Sequence, residues 1–342
     1  MAQRGGMAPP LVCCCLLVAL ALACSVASAA TIVPRKSVQA TGPPKSIPKS
    51  EFQKITFSKS GGKRQYVITC AQRNRRPCIV SCPADRCPNV CLAFCAYCIT
   101  FCLCDIFPGT SCGDPRFTGG DGNTFYFHGK TNQDFCIVSD TDLHINAHFI
   151  GNHNPAVKRN FTWIQAIGVS FGSHRLYVGA RKATQWEEDV DHIDITLDGE
   201  TIDVDTFTGA LWVSRALPNL SVARTDNFNT VTIELDGVFT ITANAVPVTD
   251  EDSRIHDYGK SGSDSVVHLD MGFKFHSLTK DVDGVLGQTY RPDYISKVDI
   301  SAKTPIMGGE PKYLSSSLFA TDCAVSKFRG NNVAGNAITY AS

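Results

Sequence analysis

The sequence predicts a mainly β chain: an antiparallel β-sandwich or meander domain preceded by a small disulfide-rich subdomain. Three observations carry this. Ten cysteines crowd the stretch from Cys70 to Cys112, and only Cys136 and Cys323 follow. From Phe135 onward apolar residues alternate with period two, as one face of a half-buried strand requires. Turn residues punctuate that region, including Asp-Gly pairs at Asp198-Gly199 and Asp236-Gly237.

Residues 1–30 read as a secretory signal peptide, with a basic start at Arg4, an apolar run from Leu11 to Leu22 and the small-residue ending Ala27-Ser28-Ala29-Ala30. A membrane anchor is the competing reading, and the small-residue end favours cleavage. A secreted chain with no membrane segment after cleavage is therefore expected. Lys plus Arg and Asp plus Glu each number 32, so no overall field recruits nucleic acid, which is not an expected partner.

Residues 31–68 read as a basic, Pro-containing linker. Arg35, Lys36, Lys45, Lys49, Lys54, Lys59, Lys63 and Arg64 face the single acid Glu51, and Pro43, Pro44 and Pro48 favour extension. The plain reading is a solvated linker. The other is an arm that adheres to an anionic polymer.

Residues 69–112 read as a cysteine-rich subdomain. Of sixteen cysteines, Cys13, Cys14, Cys15 and Cys24 lie in the signal peptide, leaving twelve. An even number in an exported chain implies disulfides. The block holds Cys70, Cys78, Cys82, Cys87, Cys91, Cys95, Cys98, Cys102, Cys104 and Cys112, with Pro77, Pro83, Pro88 and Pro108 interleaved. Such density suits a stapled subdomain with little core of its own. The Cys95-x-x-Cys98 and Cys102-x-Cys104 spacings also occur in zinc and iron–sulfur sites, so a metal-binding or defence module is an alternative. If the ten pair among themselves, Cys136 pairs with Cys323 and ties the tail to the first strands. Cys112 with Cys136 is the competing arrangement.

Residues 113–323 read as the β-domain. Asp114-Pro115 and Gly119-Gly120-Asp121-Gly122 are turns, and Phe125-Tyr126-Phe127 is a short aromatic strand closed by Gly129. In Phe161 to Phe171, the residues Phe161, Trp163, Ile167, Val169 and Phe171 share one face, broken by Gln165. Hairpins join Ile193–Leu197 to Thr201–Val204 and Val231–Leu235 to Val238–Ile241. Further strands are predicted at Arg175 to Val178, Ala210 to Val213, Val266 to Leu269 and Gly272 to Leu278. Residues 324–342 form a C-terminal tail, the end of a Ser-, Gly- and Asn-rich stretch from Gly308, pinned back by Cys323. The sequons at Asn160 and Asn219 are candidate glycosylation sites, and Asn219, beside Pro218 in a predicted loop, is the better one.

Candidate chemistry is sparse. Gly168-Val-Ser170-Phe-Gly172 matches a hydrolase nucleophile elbow, but the pattern that follows is a strand where that motif needs a helix. His144, Asn146 and His148 fall on one strand face, read as a polar outer surface; a zinc site there would need a third ligand such as His153. Two histidines four apart in a strand lie about 13 Å apart, too far for one ion. The carboxylate pairs Asp189/Asp191 and Asp203/Asp205 read as solvated strand faces or hairpin ends rather than glycosidase pairs. No catalytic residue is assigned.

The pattern Gly113-Asp-Pro-Arg-Phe117, Asp121-Gly122, Phe125-Tyr-Phe127, Gly129 and Cys136 resembles the opening of a von Willebrand factor type D domain. Gly284-Val-Leu-Gly-Gln-Thr-Tyr-Arg-Pro-Asp293 is similar to that domain's Gly-Leu-Cys-Gly signature and to the Gly-Leu-Leu-Gly-Gln form of inter-α-trypsin inhibitor heavy chains. Arg116 stands in place of the usual His, and Leu286 in place of a cysteine. Over Cys112 to Cys323 the chain most resembles the plant root cap family, also labelled late-embryogenesis-abundant-related. The residues that carry this are Gly119-Gly-Asp-Gly122, Phe125-Tyr-Phe-His-Gly129, Leu143-His-Ile-Asn-Ala-His-Phe149, Glu251-Asp-Ser-Arg-Ile-His256 and Gly284 to Arg291. The resemblance implies a type-D-like β fold and a secreted, non-enzymatic structural or interaction protein of the plant wall, apoplast or root mucilage. Its partner would be an extracellular polysaccharide or protein, engaged partly through Arg35 to Arg64. The type D likeness further implies calcium, bridged by Asp121 and Asp293. The alternative function is a secreted glycan- or ester-acting hydrolase.

Overall fold

The period-two alternation resolves into two antiparallel sheets packed on one core. The computed structural model describes residue 104 and residues 107–330, except 153, 155–159, 188, 226–227 and 260–264, together with the backbone of five earlier strands. These are β1 (Phe52–Thr56), β2 (Tyr66–Cys70), β3 (Cys78–Cys82), β4 (Val90–Phe94) and β5 (Ile99–Cys102). They pair as β1-β4-β5 and β2-β3, with Cys70 opposite Cys78 and Cys91 opposite Cys102. The segment read as linker therefore contains a strand at Phe52–Thr56, where Phe52 and Ile55 are interleaved with polar residues. The signal peptide, the rest of the basic segment and Cys87, Cys95 and Cys98 lie outside the described residues.

The main sheets begin with β6 (Thr110–Cys112), β7 (Arg116–Thr118) and β8 (Thr124–Tyr126). Then come β9 (Gln133–Ser139), β10 (Leu143–Asn152), β11 (Phe161–Phe171), β12 (His174–Ala180), β13 (Ile193–Leu197) and β14 (Glu200–Thr201). After them run β15 (Leu211–Val213), β16 (Leu220–Arg224), β17 (Thr230–Leu235), β18 (Phe239–Val246) and β19 (His268–Phe275), and β20 (Leu314–Ser315) closes the series. The seven-stranded sheet has the order β14-β13-β12-β11-β10-β9-β20. The eight-stranded sheet has the order β15-β16-β17-β18-β19-β6-β7-β8. One cluster of buried side chains from both sheets fills the space between them, the sheet-on-sheet solution to two apolar faces. At one end Phe127 packs edge-on against Phe135, Phe149 and Tyr313, with centroids 5.4, 5.9 and 5.6 Å apart.

Several expectations shift. The β-domain starts before residue 113, because Thr110 and Ser111 pair with Gly272 and Met271. Cys112 is disulfide-bonded to Cys104, with Cα atoms 6.1 Å apart, which excludes the Cys112–Cys136 arrangement. The Asp198-Gly199 hairpin has both residues left-handed, at φ 53° and 88°, as a two-residue turn needs. At Asp236-Gly237 only Gly237 is left-handed, and Leu235 pairs with Phe239, so the loop is one residue longer than predicted. Val266–Leu269 and Gly272–Leu278 are not separate strands: β19 runs from His268 to Phe275, carrying Gly272 through its pairing with Thr242.

The face assigned to β11 is also corrected. His148 pairs with Ala166 and Phe149 with Ile164, so Gln165 is the extra residue of a bulge. A bulge exchanges the faces of everything beyond it. Ile164, Ile167, Val169 and Phe171 therefore join the main core, while Phe161 and Trp163 turn to a satellite cluster with Val248 and Tyr258. Tyr258 follows helix α1 (Asp250–His256), which Thr249 and Asp252 cap reciprocally. Among the described residues no helix is long and apolar enough to cross a membrane.

Candidate functional site

Three segments meet at one end of the β9–β10 hairpin: the hairpin turn, the loop from Leu278 to Asp293, and a C-terminal strap from Leu314 to Gly330. Asp140 fastens the first two. Its carboxylate accepts hydrogen bonds from Thr279 N (2.6 Å) and Thr279 Oγ1 (2.5 Å). The loop then runs along the outer edge of β9, with Ser139 and Asp283 exchanging backbone bonds of 2.8 Å. Val285 N donates to Cys136 O (3.0 Å) and Leu286 N to Ile137 O (2.9 Å). β20 covers the next residues of that edge by pairing with Phe135 and Asp134. An edge that would otherwise expose its backbone is thus closed.

The strap corrects two expectations. The stretch read as a Ser-, Gly- and Asn-rich tail contains helix α2 (Glu310–Tyr313) and β20, and its backbone is held as far as Arg329, whose N donates to Thr141 O (3.0 Å). The strap also lies over the polar face of β10. His144 and Asn146 are 1% and 0% exposed, so that face is inner rather than outer; only His148 remains half-buried, beside Asp134 at 2.8 Å. Asn146 Nδ2 donates to Ser315 Oγ, Ser317 O and Ala320 O at 3.1, 3.2 and 2.7 Å. Two of these acceptors are carbonyls, which fixes the amide orientation. Asn146 Oδ1 therefore faces His144 Nε2 at 2.9 Å, and Nε2 must carry the proton. His144 Nδ1 then accepts from Ser139 Oγ at 2.8 Å.

Burial pushes the His144 pKa from its ordinary value down to about 4. The imidazole is neutral in the folded state while the unfolded chain protonates near pH 6.5. Stability is therefore full above pH 6.5 and is lost as pH falls toward 4. Unfolding free energy measured with urea should drop by about 2 kcal/mol between pH 7 and pH 5. The drop should shrink in His144→Gln, and an equal drop in both proteins would refute the assignment.

Beside His144 lie Cys136 and Cys323, both buried thiols. Their sulfurs and a His144 ring nitrogen all lie within 4.8 Å of one another. A hydrogen bond between the thiols raises the Cys136 pKa and lowers that of Cys323, so Cys136 is the donor and Cys323 the more acidic partner. The expected Cys136/Cys323 couple is thus brought together, whereas His153 lies outside the described residues. Both His144 nitrogens already have partners, which makes the two sulfurs the reactive members of this cluster.

The loops holding Asp121 and Asp293 also meet: Gly120 N donates to Thr289 Oγ1 (2.8 Å), and a Cβ on Gly120 would stand 2.6 Å from the Tyr290 ring. Their carboxylates point to other partners. Asp121 accepts from Asn123 N (3.1 Å) and Nδ2 (2.8 Å), and Asp293 Oδ1 lies 3.5 Å from Arg291 Nε. Neither belongs to a group of three ligand side chains among the described residues.

The other predicted positions are dispersed. Asp191 makes a bidentate pair with the buried Arg224 guanidinium at 2.9 and 2.5 Å, while Asp189, Asp203 and Asp205 are exposed. Asn160 and Asn219 are both exposed, the former just before β11 and the latter in the turn before β16.

The Root cap family model matches residues 272–328, the span from β19 through the signature loop and the strap. No curated protein matches the chain. That match covers the stretch that carries Gly284 to Arg291 and supports the resemblance of this part of the chain to the root cap family.

Proposed function

We propose that this chain is a secreted, non-enzymatic interaction module of the plant extracellular matrix or root cap, which binds wall or mucilage polymers or proteins. The observation that carries the reading is the use made of the family signature. A Cβ at Gly284 would stand 2.5 Å from Ile137 O, and Leu286 is fully buried in the core. Gln288 Nε2 donates to Tyr313 OH (2.6 Å), and Thr289 Oγ1 to Leu286 O (2.6 Å). These residues close one edge of the sandwich and anchor the helix that leads into the strap, their polar atoms turned inward to internal partners. The hydrolase alternative rests on Ser170, which is 5% exposed in β11, and Gly172 leads through a hairpin into β12. A nucleophile elbow needs an exposed serine between a strand and a helix.

The basic segment Arg35 to Arg64 supplies an arm for an acidic polymer, each contact weak alone and multiplied by valency. Full mature protein should bind immobilised polygalacturonate. Binding should weaken as salt brings the Debye length below about 8 Å, and should fall when the arm's Lys and Arg are changed to Gln. Turnover of wall polysaccharides or esters that disappears in Ser170→Ala would replace this reading with the hydrolase.

A further inference from the structure

We infer that the folded domain carries its own binding cleft for carboxylate-bearing sugars, where the signature loop meets the strap. The inference rests on the polymer-binding reading above and places a second, ordered contact outside the basic arm. The cleft has a volume of about 470 Å³ and is bordered by Lys280 and Arg291 from the loop and Lys327 and Arg329 from the strap. These four cations face only two carboxylates, Asp281 and Asp293. Among the described residues no carboxylate lies within 4.0 Å of Lys280, Lys327 or Arg329. Arg291 is partly engaged, with Nη1 3.6 Å from Asp283 Oδ2 and Nε 3.5 Å from Asp293 Oδ1, an ion pair in which the buried Nε makes no hydrogen bond. Four cations among two carboxylates leave a positive surplus at this cleft, and such a surface gains from an incoming anion.

The backbone around these cations is held in place. Lys327 N donates to Ser139 Oγ (2.9 Å), Arg329 N to Thr141 O (3.0 Å), and Asp140 anchors the residue before Lys280. A fixed frame reduces the ordering cost of binding. The ligand class follows from what lies among the charges. Phe328 borders the cleft, is half-buried, and packs on His144 with centroids 5.9 Å apart. An aromatic ring between spaced cations suits a flat apolar sugar face with carboxylates projecting from it; a bare phosphate would have no use for the ring. Thr141 and Ser326 add hydroxyls at the rim for sugar oxygens.

The test uses the full mature chain, an oligogalacturonate probe and calorimetry at low salt, on four proteins: parent, Lys327→Gln/Arg329→Gln, Phe328→Ala, and the chain with its basic arm changed to Gln. All four must share the parent melting temperature within about 2 °C. The cleft double variant should bind at least about tenfold more weakly than the parent, and Phe328→Ala about fivefold. The arm variant should retain the oligomer. An uncharged oligomer of the same sugar should not compete, nor should inorganic phosphate at equal concentration. If both cleft variants bind like the parent while the arm variant loses binding, the cleft assignment is wrong and the polymer reading stands. If the parent binds no oligogalacturonate and no polygalacturonate, both fail. Equal competition by phosphate would make the site a simple anion site and overturn the sugar assignment.

Discussion

Gly284→Ala is expected to lower the unfolding free energy by roughly 3–5 kcal/mol, as two independent costs fall on one residue. Gly284 has φ +107°, a conformation that L side chains rarely adopt. An added Cβ would also stand 2.5 Å from Ile137 O and 2.7 Å from Ile137 C, which are backbone atoms of β9 and cannot rotate away. Relief would require moving the signature loop off the β9 edge, breaking the bonds from Val285 N and Leu286 N. Gly122→Ala separates the two costs, since Gly122 has φ +79° but nothing within 4 Å of its added Cβ. That variant should lose only about 1–2 kcal/mol. Urea denaturation of both at neutral pH checks the point: equal losses would mean that the close approach to β9 contributes nothing.

Gly284 also marks where sequence reasoning succeeded and where it stopped. The signature was legible as a motif, and the hairpin at Asp198-Gly199 as a turn, because both are local: a few residues fix the backbone chemistry. The bulge at Gln165 was visible as a break in alternation. Its consequence was not, because a polar residue in a strand can either face solvent or be looped out, and the choice depends on how β10 pairs. The strap was harder still. Its Ser, Gly and Asn composition reads as a tail, and its path is set by contacts with residues far earlier in the chain, such as Ser315 with Asn146. For the same reason His144 and Asn146 looked like a solvent face. What covers them is the strap itself, and burial turns a polar stripe into a hydrogen-bonded network. The cations of the cleft lie at 280, 291, 327 and 329, with no run or period to announce them; only folding of the loop and strap gathers them.

The strap raises a second large expectation. Under oxidising conditions Cys136 and Cys323 should join, with the Cys323 thiolate attacking a disulfide oxidant such as oxidised glutathione and Cys136 resolving the mixed disulfide. Two thiols become one disulfide, the oxidant is reduced to two thiols, and no other group is consumed. The sulfurs already lie within 4.8 Å of each other, and their shared hydrogen bond makes Cys323 the more acidic. The bond would close a loop spanning nearly the whole β-domain, so the chain-entropy model gives a stabilisation of roughly 5 kcal/mol, less any strain. Peptide mapping without reductant should recover Cys136 linked to Cys323, alongside Cys104 linked to Cys112. Urea denaturation should show Cys136→Ala/Cys323→Ala weakened by most of that amount relative to oxidised parent. A Cys323→Ser variant with the parent's oxidised stability would contradict the bond, as would two free thiols in the mapped peptides. Free thiols accompanied by stoichiometric zinc would assign the pair to a metal instead. Because the strap also supplies Lys327, Phe328 and Arg329, the linked protein should protect the backbone amides of 327 and 329 from hydrogen exchange better than the reduced one, the local counterpart of the global gain.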